Sequence, residues 1–276
     1  MTAEADLRRA PLPLRGRVAV ITGVSRVQGI GYATACRLVA YGASVFVQHH
    51  QAHDDAMPWG ADNLDDVLTG IREHRADSAA RVEQAEGDFA DPESPERLMR
   101  MARDACGHVD ILVCNHATSE RDGALGELDA ASLDRHWAIN ARSSLLLTQA
   151  FAVGHDGREG GRVVLLTSGQ QQGPMPGQIG YAAAKGALAE ITVTLADQLA
   201  DAGITLNTVN PGPVQTGYLD DATLRSVAPM FPFGRCGEPD DPARLIAWLV
   251  TDEARWVTGQ VINTEGGFAR WRPRAD

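Results

Sequence analysis

Seven short strand-like runs, separated by stretches with helical spacing, constrain the fold of this chain more than any other feature. They read RVAVIT at 17–22, ASVFVQ at 43–48, RVEQAEGD at 81–88, VDILVCN at 109–115, GRVVLLTS at 161–168, GITLNTVNPG at 203–212 and GQVINTEGG at 259–267. RVAVIT is short, apolar and β-branched, and helix-like segments such as GIGYATACRLVAYG at 29–42 lie between the runs. Strands alternating with helices imply βαβ units and a parallel sheet buried on both faces. The expected fold is therefore α/β: a doubly wound parallel sheet of about seven strands with helices on both sides. No linker rich in Pro, Gly or Ser divides the chain. Residues 16–276 read as a single domain after a loose N-terminal arm over 1–15, which carries Pro11 and Pro13.

Composition narrows the function classes. The chain has 276 residues, 44% of them hydrophobic and 22% charged, which suits a globular protein with a substantial core. A net charge of −11 argues against nucleic acid as a partner, because that needs a clustered basic surface. Cys36, Cys106, Cys114 and Cys236 show no CxxC spacing and read as reduced thiols. The first sixteen residues lack the apolar core of a signal peptide. No apolar stretch reaches the roughly 18 residues of a membrane span. A cytoplasmic protein without membrane partners is expected.

The chemistry starts where the first strand ends, at ITGVSRVQGIG (21–31). Gly23, Gly29 and Gly31 let the backbone turn sharply and approach a ligand. The helix that follows aims free N–H groups and its positive end at the same place, which suits a pyrophosphate. A Rossmann-like, dinucleotide-binding arrangement follows. The second strand ends in FVQHH, with no acidic residue before Asp54 to grip a ribose 2′-OH. Arg26, with His49 and His50, could pair with a 2′-phosphate. NADP(H) is therefore favoured, with NAD(H) as the alternative; the competing reading makes both histidines and Arg26 solvated. The segment 49–63 (HHQAHDDAMPWGADN) is a long polar connection. Its His and Asp spacing matches no usual ligand pattern, so no metal is expected, and a role beside the cofactor suits it better.

Further on, LLTSGQQQGPMPGQIGYAAAKGALAE (165–190) puts Ser168 at a strand end. A helix begins near Gly180, with Tyr181 and Lys185 one turn apart on a shared face. A nearby ammonium favours the phenolate by Coulomb attraction, making Tyr181 a usable proton donor and acceptor. The competing reading is a packed tyrosine and a solvated lysine. In SLDRHWAINARSSLLLTQAF (132–151), Leu133, Trp137, Leu147 and Phe151 mark an apolar stripe that also carries Asn140 and Ser144. A buried Asn140 needs hydrogen-bond partners.

Taken together, the glycine turn, Ser168, Tyr181 and Lys185 resemble the short-chain dehydrogenase/reductase family, classical type, over about residues 16–268. The family's TGxxxGxG resembles TGVSRVQGIG here, with two extra residues before Gly29. Its YxxxK is Tyr181 to Lys185, and its serine stands thirteen residues ahead, as Ser168 does. Its NNAG motif resembles CNHAT, which keeps Asn115 but has His116 and Thr118. An aspartate that contacts adenine in relatives matches Asp88, and the proline-glycine turn matches NPGPVQT (210–216).

The resemblance implies a catalytic set of Asn140, Ser168, Tyr181 and Lys185. Tyr181 would be the acid/base. Lys185 would lower its pKa and bind the nicotinamide ribose. Ser168 would orient the substrate oxygen, and Asn140 would support a proton relay, unless it only caps a neighbouring backbone group. It implies cofactor contacts at Gly23, Ser25, Arg26, Gly29, Ile30, Gly31, His49, His50, Asp88, Phe89, Asn115, His116, Ala117, Tyr181, Lys185, Pro211, Gly212, Val214 and Thr216. The implied reaction is NAD(P)-dependent hydride transfer between nicotinamide and a ketone or secondary alcohol. The chain is similar to 3-oxoacyl-carrier-protein reductases, so a 3-oxoacyl thioester is one substrate considered. Enoyl reductases space their tyrosine and lysine more widely. The segment 217–241, rich in Met, Phe, Pro and Leu, sits where relatives carry a substrate lid; it suits an apolar substrate or packing onto its own domain. A homotetramer is implied, with a dimer as the alternative. The other function class considered is a non-catalytic dinucleotide-binding sensor or scaffold.

Overall fold

The computed structural model describes residues 10–120 and 122–269. Seven strands form one parallel sheet: β1 (Val18–Ile21), β2 (Ser44–His49), β3 (Val82–Glu86), β4 (Ile111–Cys114), β5 (Gly161–Leu166), β6 (Ile204–Asn210) and β7 (Val261–Asn263). Their spatial order is β3-β2-β1-β4-β5-β6-β7. The order reverses between β1 and β4, where Ala19, Val20 and Ile21 pair with Ile111, Leu112 and Val113. Ligands of open α/β sheets bind outside the carboxyl ends of the strands at such a switch point. The expected doubly wound sheet is what the chain forms.

The uninterrupted apolar runs have a direct structural reason. Along β1, Ala19 and Ile21 join the core on one face, under α1 (Ile30–Ala40), α3 (Leu64–Glu73) and α9 (Asp240–Leu249). Val18 and Val20 join the other, under α4 (Ser94–Cys106), α6 (Ser143–Val153) and α7 (Ile179–Ala200). Successive side chains point to opposite faces, so a strand covered on both sides must be apolar at every position. Each fully buried Val, Leu or Ile contributes about 1.5–3 kcal/mol relative to exposure. Local signals fix the helix ends. Asn63 caps α3 by accepting from the N–H groups of Asp65 and Asp66. Pro95 opens α4, and Gly107, with φ of 87°, ends it.

Three expectations change. The arm expected over residues 1–15 is anchored at its end: Leu14 is buried in the core, and its N–H donates to the carbonyl of Tyr41. Residues 1–9 and the polar tail 270–276 lie outside the described residues. The connection at 49–63 is partly regular. His49 closes β2, and a short helix α2 (Gln51–Asp55) follows at once. The apolar stripe on 132–151 breaks in two. Leu147 and Phe151 are buried, whereas Leu133 and Trp137 are exposed. Between α5 (Ala130–His136) and α6 the chain makes one π-helical turn, Trp137–Arg142. The wider turn holds an extra residue and rotates everything before it off the face that follows. All four cysteines are free and buried. Among the described residues, no helix is long and apolar enough to cross a membrane.

Candidate active site

The carboxyl ends of β1, β2, β4, β5 and β6 open into a groove of about 450 Å³. That volume lies within the range of small-molecule and cofactor sites. Its floor is the glycine turn. Gly23 has φ of 72°, and a Cβ there would stand 2.9 Å from His116 Cα. Gly31 lies one layer down, where a Cβ would meet the Gly23 carbonyl oxygen at 2.6 Å. Side chains at either position would push the turn off β4. Gln48 holds the turn from the other side: its Oε1 accepts from Gly23 N–H at 2.9 Å, and its Nε2 donates to the Gly87 carbonyl at 2.6 Å. Asn115 Nδ2 donates to the carbonyls of Thr22 and Gly23. The first turn of α1 begins at Gly29 without a side-chain cap. Gly29 and Ile30 both face the groove. These uncapped N–H groups and the close-packed glycines fit a pyrophosphate.

Most of the expected cofactor residues line this groove: Gly23, Ser25, Arg26, Gly29, Ile30, His50, Asp88, Phe89, Asn115, His116, Ala117, Tyr181, Pro211, Gly212, Val214 and Thr216. His49 does not. It is 4% exposed, and its Nε2 bonds to Gln84 Oε1 on β3 at 2.7 Å. Residues alternate in direction along a strand, so adjacent histidines at the end of β2 cannot both face the ligand. Charge is added from α2: Asp54, the first acidic residue after β2, lines the groove, 3.2 Å from Arg26 Nε.

On the opposite wall, Ser168 follows β5 and Tyr181 lies in the first turn of α7; both line the groove, and the Tyr181 phenol hydrogen-bonds to Ser168. The helix start is fixed from a distance. Asp122, in the loop after β4, accepts from Gly180 N–H at 2.9 Å and from Tyr181 N–H at 2.8 Å. Burial raises the Asp122 pKa, but the N–H groups of Tyr181, Gly180 and Gly123 outweigh it and hold the carboxyl below its usual range. His136 is buried beside this carboxylate, with its ring edge-on to Tyr181.

Lys185, one turn on, is buried under the floor of the groove. Its Nζ donates to the carbonyl of Leu166 at 2.9 Å and reaches that of His116 at 3.5 Å. Burial lowers its pKa to about 8. Burial also raises the pKa of Tyr181, and the hydrogen bond with Ser168 opposes this only in part. The Lys185 ammonium bonds to main-chain carbonyls, and burial is the larger influence on the phenol. Tyr181 stays protonated through neutral pH, the state of a proton donor. His116, where the family has a second asparagine, is held neutral. Burial, with Lys185 nearby, lowers its pKa to about 3. Its ring bridges Thr22 Oγ1 at 2.6 Å and Ser143 Oγ at 2.7 Å.

Asn140 sits in the π-helical turn, behind the groove. Its Oδ1 accepts from Thr118 N–H at 2.7 Å, and its Nδ2 donates to the Thr118 carbonyl at 2.9 Å. This is the backbone-bracing geometry, and it turns the chain after β4 toward the site. The lid segment behaves similarly. Tyr218 faces the groove, whereas Phe231 packs on Phe268 at 4.9 Å between ring centroids. Sequence reasoning missed Gln48, Asp54, Trp59, Asp122 and His136. Each acts through a contact between segments distant in sequence or through a fold-back that no local pattern announces.

Comparison with known proteins agrees with this geometry. The family model described as enoyl-(acyl carrier protein) reductase matches residues 23–269. An uncharacterized oxidoreductase of Bacillus subtilis, YjdA, is 38% identical over 256 residues, 92% of this chain and 97% of its own. A 3-oxoacyl-[acyl-carrier-protein] reductase of Synechocystis is 31% identical over 92% of this chain and 98% of its own. A blue fluorescent protein from a metagenomic library, solved in complex with NADPH, is 32% identical with a TM-score of 0.80 over 93% of this chain and 99% of its own. The chain belongs to the short-chain dehydrogenase/reductase family. It is an NAD(P)-dependent oxidoreductase, which favours turnover over the sensor or scaffold reading.

Proposed function

We propose that the protein is a carbonyl reductase that takes NADP(H) in preference to NAD(H) and reduces a ketone to a secondary alcohol. A bound dihydronicotinamide supplies the hydride. Tyr181 gives its phenolic proton to the carbonyl oxygen, and Ser168 donates a hydrogen bond that orients that oxygen. Lys185 would hold the nicotinamide ribose when the cofactor is bound, and Asn140 braces Thr118 at the edge of the site. Positioning and a matched proton donor account for most of the acceleration. The observation that carries this reading is the juxtaposition of Ser168 and a protonated Tyr181 at the mouth of a dinucleotide-sized groove. Preference for NADP(H) is supported by the NADPH bound to a similar structure.

A 3-oxoacyl thioester is among the substrates, supported by the Synechocystis relative. Assembly as a homotetramer is supported by exposed Trp137 and Val193. The test is NADPH oxidation, followed at its absorbance band, against a panel of ketones, aldehydes and 3-oxoacyl thioesters. Reduction of at least one is expected; no oxidation with any of them, despite cofactor binding, overturns the reading.

A further inference from the structure

Two departures from the family pattern, the two extra residues in the glycine turn and the long segment after β2, meet each other in space. Arg26 lies in the lengthened turn. Its Nε is 3.2 Å from Asp54 Oδ1, its Nη1 donates to the Thr216 carbonyl at 2.7 Å, and its guanidinium stacks 5.2 Å from the Trp59 ring centroid. Trp59 Nε1 donates to the same Asp54 oxygen at 3.2 Å. The next residue of the turn is held too: Val27 N–H donates to Asp62 Oδ2 at 2.7 Å. On the far side, His53 of α2 bonds through Nδ1 to Glu120 Oε1, after β4, at 2.7 Å.

The segment around α2 is therefore tied to two walls of the groove, the glycine turn and the loop after β4, and Arg26 itself reaches the turn after β6. His53, Asp54 and Trp59 all face the interior. Arg26 and Asp54 are largely shielded, with side chains 17% and 10% exposed, so this ion pair is less screened by water than a surface pair.

We propose that residues 50–63 form a clasp over the cofactor groove, closed by the Arg26–Asp54 pair and the His53–Glu120 bond, which retains the bound dinucleotide and opens for its exchange. The clasp rests on the proposed reading of the groove as the NAD(P) site. It acts on the dinucleotide as a whole and is indifferent to the 2′-phosphate.

The test is the dissociation rate of NADH and of NADPH, each followed by stopped-flow nicotinamide fluorescence on mixing with excess oxidised cofactor. Asp54→Asn keeps the side-chain shape and removes the charge. His53→Gln cuts the second anchor and serves where the first variant folds poorly. Each variant is expected to speed release of both cofactors by roughly tenfold, the factor that about 1.4 kcal/mol gives. Unchanged release from both variants overturns the clasp. Faster release of NADPH alone also overturns it, showing that the Arg26–Asp54 pair reads the 2′-phosphate and leaving the NADP(H) preference in place. Failure of the unmodified protein to bind either dinucleotide removes both the clasp and the reading beneath it.

Discussion

The two walls of the groove control charge by different means. On the α7 side, Lys185 and His116 are buried, and desolvation sets their protonation; their polar atoms bond to main-chain carbonyls and fixed hydroxyls. On the α2 side, Arg26 pairs with Asp54 and His53 hydrogen-bonds to Glu120, contacts between segments that a modest free energy can separate. A wall built by burial holds a reacting geometry fixed. A wall built by ion pairs can open. The proposed proton transfer belongs on the first and cofactor exchange on the second.

The largest expected effect tests the rigid wall. Tyr181→Phe removes the proposed proton donor and keeps the ring packed against His136. Turnover is expected to fall by about 10²–10⁴-fold, the usual worth of a general acid, while the cofactor dissociation constant from fluorescence titration stays nearly unchanged. Turnover near that of the unmodified protein would dissolve the distinction between the walls.

Lys185 sharpens the comparison through pH. Its folded pKa is lowered to about 8, from an ordinary 10.5, by burial. In the free enzyme the ammonium is lost above that value, so the profile of kcat/KM should show a basic limb near pH 8. Lys185→Met should erase that limb and weaken cofactor binding as well as turnover, because the side chain is proposed to hold the ribose. Stability carries an independent sign. Between about 8 and 10.5 the unfolded chain holds more protons than the folded one, so the stability of the unmodified protein rises with pH there relative to Lys185→Met. Below about 8 the difference is flat. Urea unfolding at pH 7, 8.5 and 10 measures it, and a fall instead of a rise would mean that Lys185 is not desolvated.

Asp122 gives a smaller effect on the same wall. Asp122→Ala leaves the N–H groups of Gly180 and Tyr181 without their carboxylate. Loss of such a cap costs about 0.5–2 kcal/mol, a drop of a few degrees in melting temperature for a chain of this size. Turnover should fall further than cofactor affinity, because the residue released is Tyr181. Equal losses in both would mean that the whole groove, not the start of α7, relaxes.

What could be read in the sequence follows the same division. The sheet was legible because strands covered on both faces must be apolar throughout, and Ser168, Tyr181 and Lys185 were legible because strand end and helix turn are local periodicities. Of the opposite wall, Arg26, His50 and a role for the 49–63 connection beside the cofactor were legible, but not the contacts between them. Asp54 reaches Arg26 only because α2 turns the chain back over the groove, and nothing in HHQAHDDAMPWGADN announces a five-residue helix. The π-helical turn at Trp137–Arg142 was hidden for a related reason. Its extra residue shifts the face by one position, so a stripe read at constant period joins two halves that point apart.

The smallest expected effect marks the edge of the groove. His49 and His50 are adjacent in sequence, yet His50 faces the cavity and His49 lies within the sheet, bonded to Gln84. His49→Gln should therefore leave the KM for NADPH and NADH within about twofold, since it removes no contact from the site, and cost only about 0.5–1.5 kcal/mol of stability for one exchanged hydrogen bond. Because a strand alternates its side chains, the two positions cannot trade roles without shifting the register of β2 against β3, in which His49 pairs with Glu86. A tenfold rise in KM for NADPH on His49→Gln would mean that β2 is offset by one residue. The strand would then present His49 to the cofactor, and the segment that carries α2 would start from the wrong face of the sheet.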